Sequence, residues 1–116
     1  AESGDGLDFI LRNLQLNEYL RESARAAELV QSEVGKVHTG TNRGVKQSRV
    51  LAVLNTARRP AILVEMGFST NPRDARLLTS RKSQQSLATS IADAVVEYLL
   101  EYERKTNDGS AGGKGR

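Results

Sequence analysis

Apolar positions first recur at Leu7, Ile10, Leu11 and Leu14, the i, i+3, i+4, i+7 spacing of one helical face, which predicts a short amphipathic helix over residues 7–15. Asn17 can cap a second helix reaching about Val34, with Leu20, Ala24, Ala27, Val30 and Val34 as its inward stripe and Gly35 as its stop. Alternatively, Leu16 and Asn17 continue one kinked helix. Gly40, Thr41, Asn42 and Gly44 then favour turns, so residues 36–44 read as a loop. Two apolar runs follow, 50–54 (VLAVL) and 61–66 (AILVEM), separated by a breaking stretch at 55–60. Both are apolar at successive positions, where a half-exposed strand would alternate, and this predicts strands buried on two faces in a sheet covered by helices. Asn71-Pro72-Arg73-Asp74 combines a cap, a proline at the first helical position and a first-turn acid, and predicts a helix over 72–78. Leu87, Ile91, Ala94, Val95, Tyr98 and Tyr102 keep helical spacing across residues 83–103. The pattern thus predicts an α/β chain of two strands and about four helices. Residues 106–116 hold four glycines and no large apolar side chain, and predict a disordered tail.

Composition narrows the chemistry. A length of 116 residues predicts one domain. With no Cys, the chain has no disulfide, thiolate metal site or cysteine nucleophile, and its one His cannot supply a two-histidine metal site. The net charge of +3 is modest, the basic residues are scattered, and two Phe and three Tyr do not make a base-stacking platform, so nucleic acid is not an expected partner. No run of 18 apolar residues occurs and no basic start leads into an apolar stretch, so neither a membrane span nor an export signal is expected within these residues.

Against that background Glu65 stands out, because a carboxylate at the end of an apolar strand is costly to bury without a partner. Ligand sites of open α/β sheets cluster at the carboxyl ends of strands, where Glu65 would fall. The alternative is a rim glutamate paired with an arginine. His38 lies in the polar loop and reads as solvated or hydrogen-bonded rather than as a metal ligand. Arg43, Lys46 and Arg49 could meet an anionic substrate or form a solvated face. Glu22, Glu28 and Glu33 read as the solvent side of the second helix.

Arg43-Gly44-Val45-Lys46-Gln47, Val53-Leu54, the string RPAILVEMGFSTNP from Arg59 to Pro72 and residues 74–78 together resemble the C-terminal half of the zinc-dependent N-acetylmuramoyl-L-alanine amidases. That family's pattern is close to PAVLVEVGFLSNPEEERLL, and the likeness extends roughly over residues 7–105. The resemblance implies a mixed, mainly parallel sheet flanked by helices, with residues 1–105 as the C-terminal part of a catalytic domain. It also implies hydrolysis of the amide between N-acetylmuramic acid and L-alanine in peptidoglycan, hence action in the periplasm, the cell envelope or outside the cell. In the family, Zn2+ held by two histidines and a glutamate polarises the carbonyl and activates water, and a glutamate at the position of Glu65 is the general base or acid. The family's histidines lie in Asp-Pro-Gly-His-Gly and Ser-Ile-His-Ala-Asp type motifs, and neither string is present here. The metal ligands are therefore expected upstream of residue 1, none is assigned in this chain, and the chain alone is expected to be inactive.

Some amidases of this family carry a helical insertion that occludes the zinc until an activator protein displaces it. Residues 7–35 occupy the corresponding place and either border the cleft or pack as ordinary core helices. The alternative function is a non-catalytic peptidoglycan-binding or helical interaction module.

Overall fold

The computed structural model describes residues 2–47, 54 and 57–113. The first element, α1 (Glu2–Gly35), is one continuous helix rather than two. Neither Gly nor Pro interrupts the chain near Leu16 and Asn17, and extending an existing helix costs less than nucleating another. It stops at Gly35 as expected, where the amides of Val37 and His38 both donate to the carbonyl of Val34, at 3.1 and 2.8 Å.

The second helix, α2 (Pro72–Thr79), begins as the sequence indicates, with the Asn71 side chain accepting the amides of Arg73 at 2.9 Å and Asp74 at 3.2 Å. Ser80 separates it from α3 (Arg81–Gly113) and receives the amide of Ser83 on its hydroxyl, at 3.3 Å. The last helix also runs through 106–113, which composition had assigned to a disordered tail. Propagation from a long, packed helix requires only one further hydrogen bond per residue, and Thr106 adds a hydroxyl bond to the carbonyl of Tyr102 at 2.9 Å.

α1 and α3 lie antiparallel, since residues of rising number in one meet residues of falling number in the other: Glu22 reaches Lys105 at 2.8 Å and Arg25 reaches Glu101 at 2.7 Å. The Arg25–Glu101 contact is a two-pronged guanidinium–carboxylate pair, with a second bond of 2.9 Å. Being exposed, it fixes register more than it adds stability. Leu29, Val30 and Val34 of α1, Leu77 of α2, and Leu87 and Ala94 of α3 form the core, flanked by Ile62, Val64, Leu78, Ile91 and Tyr98.

The buried face of α1 differs from the expected stripe. Leu20 and Ala24 are exposed, Leu29 is buried, and Glu22, expected on the solvent side, is only 6% exposed. Its carboxylate accepts the Tyr98 hydroxyl at 2.9 Å and the Lys105 ammonium at 2.8 Å, so both oxygens are satisfied across the helix interface. Chiefly the Lys105 bond, assisted by Tyr98, outweighs desolvation and holds the Glu22 carboxyl below its ordinary value of 4.5. A carboxylate whose pKa falls on folding contributes stability that is complete above its unfolded value and is lost as pH falls through the folded one. In acid titrations followed by circular dichroism, Glu22→Gln is therefore expected to flatten the loss of stability below about pH 4.5. An unchanged acid profile would remove Glu22 from that role.

The α/β sheet expectation is overturned: among the described residues the elements are three helices, and no strand is present. The first predicted strand, 50–54, lies outside the described residues except for Leu54. The second, 61–66, has no regular secondary structure and pairs with no strand among the described residues. Its backbone bonds go elsewhere, the Ala61 amide to the Ser23 hydroxyl at 2.9 Å and the Met66 carbonyl to the His38 ring at 2.6 Å. Only one of its faces is covered, with Ile62 and Val64 turned to the core and Leu63 52% exposed. Branched apolar side chains favour extended backbone, but a sheet also requires a partner edge. Among the described residues no helix is long and apolar enough to cross a membrane.

Candidate functional site

The site forms where the 61–66 segment ends. Ile62 and Val64 pack against the core, whereas Glu65 is exposed. Among the described residues no hydrogen bond or ion pair engages its carboxylate, so the arginine-paired alternative has no support there.

Three contacts brace the turn that follows. The Asp74 carboxylate accepts the Phe68 amide at 3.0 Å. The guanidinium of Arg43 lies over the Phe68 ring, 4.4 Å from its centre, a cation–π contact. His38 meets the Met66 carbonyl through Nε2 at 2.6 Å, while its Nδ1 receives the Gly40 amide at 2.8 Å. An amide hydrogen can only be accepted by an unprotonated Nδ1, so Nε2 carries the proton and donates to Met66. The turn closes with the Asn71 amide on the Phe68 carbonyl at 3.0 Å, leading directly into the cap of α2.

Two glycines permit this convergence. Gly67 has φ +147, and a Cβ there would stand 3.1 Å from the Asp74 side chain. A Cβ on Gly40 would stand 2.5 Å from His38 Cε1 and 2.9 Å from Asp74 Oδ1. The loop after α1, the turn after Glu65 and the first turn of α2 are thereby packed together at backbone distance.

The structure thus places Arg43 and His38 against the turn that directly follows Glu65. Lys46 lies exposed in the loop that carries Arg43, and Arg49 lies outside the described residues. Glu28 and Glu33 pair locally with Arg25 and Lys36, at 3.2 and 2.8 Å; Glu28 lies on the solvent side as expected, whereas Glu33 is half-buried. Sequence reasoning missed the Asp74 carboxylate as a brace, having read it only as a first-turn acid. The signal available was its place six residues after Phe68 and three after the cap Asn71. Among the described residues no group of three His, Cys, Asp or Glu side chains could hold a metal ion. Both ring nitrogens of His38 are already engaged, which leaves no free lone pair for one.

Comparison with known proteins gives a consistent picture. Residues 1–97 match the family model described as N-acetylmuramoyl-L-alanine amidase. The germination-specific N-acetylmuramoyl-L-alanine amidase of Bacillus subtilis is 30% identical over 80 residues, 69% of this chain and 34% of that protein. The N-acetylmuramoyl-L-alanine amidase AmiA of Escherichia coli is 30% identical over 99 residues, covering 85% of this chain and 34% of the relative. The amidase AmiC of Neisseria meningitidis is 32% identical over 93 residues, 80% of this chain and 22% of its own length. The chain thus spans about a third or less of the curated relatives it matches. No solved structure matches with comparable significance.

Proposed function

Because this chain belongs to the N-acetylmuramoyl-L-alanine amidase family, we propose that it is the part of a cell-wall amidase that carries the catalytic carboxylate, Glu65. The substrate is the amide joining N-acetylmuramic acid to L-alanine in peptidoglycan, which places the protein's work in the periplasm or cell envelope. The observation that carries the reading is an exposed Glu65, without a partner among the described residues, directly before a turn held by His38, Arg43 and Asp74.

Amide hydrolysis needs a proton taken from water as its oxygen adds to the carbonyl carbon, and a proton given to nitrogen as the C–N bond breaks. One exposed carboxylate held on a fixed turn can do both in sequence, ending in its starting protonation state. Arg43, seated on Phe68 of the turn, and Lys46, exposed in the same loop as Arg43, carry positive charge suited to the carboxylates of a stem peptide. In this family zinc supplies carbonyl polarisation and water activation. Among the described residues no group of three His, Cys, Asp or Glu side chains makes a site for that ion.

The test is product analysis with the full-length protein, zinc and purified peptidoglycan. Cleavage should release stem peptides bearing a new free amino group on L-alanine, with no new sugar reducing ends. Retention on peptidoglycan without any released peptide would instead establish the non-catalytic binding module.

A further inference from the structure

We propose that His38 is a positioning residue for the turn that presents Glu65. This rests on the reading of Glu65 as the catalytic carboxylate and adds to it the element that sets where that carboxylate stands. The carbonyl held by His38 belongs to Met66, the residue directly after Glu65, and the 2.6 Å bond spans 28 residues of sequence. Among the described residues no strand ladder holds the 61–66 segment, and the bonds at its end include those of His38 to the Met66 carbonyl and of the Phe68 amide to Asp74.

The imidazole is itself held from behind. The Gly40 amide on Nδ1, at 2.8 Å, selects the tautomer with hydrogen on Nε2, the one form in which a neutral ring can donate to Met66. Gly40 cannot be replaced without moving this ring, because any Cβ there would fall 2.5 Å from Cε1. The ring is anchored in turn to the end of α1, whose Val34 carbonyl receives the His38 amide at 2.8 Å. A continuous path, from the Val34 carbonyl through His38 to the Met66 carbonyl, thus ties the Glu65 turn to the helical core. The Asp74 bond to Phe68 fixes the other side of Gly67. The Glu65 side chain is exposed, and among the described residues no bond engages its carboxylate.

Three variants of the full-length protein test this, with kcat and KM measured separately on peptidoglycan fragments. His38→Phe keeps a planar ring and removes the donor, and is expected to lower kcat by about 10- to 100-fold with KM little changed, as a slightly displaced catalytic group would. His38→Gln restores an N–H donor at similar reach and is expected to recover most of that loss, which a purely space-filling role would not allow. Glu65→Gln is measured alongside. If it retains activity, the carboxylate reading fails. If Glu65→Gln is inactive while His38→Phe keeps the wild-type kcat, the His38 inference alone is overturned. A kcat that falls equally in the Phe and Gln variants, together with a lower melting temperature, would also overturn it, by showing a structural role only. Independently, long-range proton–nitrogen correlation spectra of the 116-residue chain should show hydrogen on Nε2 of His38 and an unprotonated Nδ1. Hydrogen on Nδ1 would contradict the bond to Gly40 and with it the proposal.

Discussion

Glu65→Gln in the full-length protein is expected to slow release of stem peptide by about 100- to 10,000-fold, the contribution of a positioned proton carrier. The substitution keeps the shape of the side chain and removes only its capacity to take and give a proton. Because Glu65 is exposed and engages no partner among the described residues, the change should leave stability within about 0.5 kcal/mol of the wild type. The loss should fall on kcat rather than KM, since the proton moves in the transition state and not on binding. Parallel measurement of peptide release and of melting temperature separates lost chemistry from lost structure. A fall in both together would place Glu65 in the fold instead.

The second large effect is structural. Gly67→Ala is expected to destabilise the chain by about 1–3 kcal/mol, the usual cost of holding a side chain in backbone space reserved for glycine. At φ +147 the new methyl would also press on the Asp74 side chain from 3.1 Å. The bond most exposed to the change is Asp74 to the Phe68 amide, the brace on the far side of the Glu65 turn. Urea titration of the variant should show a lowered midpoint with an unchanged slope. Amidase activity should fall even under conditions where the variant remains folded. An unaltered midpoint would mean that the turn relaxes freely and does not need glycine.

Local chemistry was legible in the sequence where it alone decides structure. The Asn71 cap with Pro72 behind it, the stop at Gly35 and the Leu87, Ile91, Ala94 and Tyr98 positions of the last helix each depend on residues within one or two turns, whereas Val95 and Tyr102 of that stripe are exposed. The sheet was misread because the run 61–66 carries the side chains of a strand but not the partner that would make it one. Its actual bonds go to Ser23 and His38, far away in the sequence. Glu22 was misplaced for a similar reason. Its charge marked it as solvent-facing, and only the antiparallel packing of α1 on α3 brings Tyr98 and Lys105 to it. For the site, Glu65 was visible as an acid ending an apolar run, and Arg43 as part of a basic loop. The supports of the turn were not, because His38, Gly40, Gly67 and Asp74 become neighbours only when three segments converge.

The most direct test of the account is rescue of Glu65→Ala in the full-length protein by small carboxylic acids. If Glu65 is the proton carrier, the variant should be nearly inactive, and added formate should restore stem-peptide release in proportion to its concentration, with no effect on the wild type. Cleavage by Glu65→Ala at the wild-type rate, with or without formate, would contradict the account.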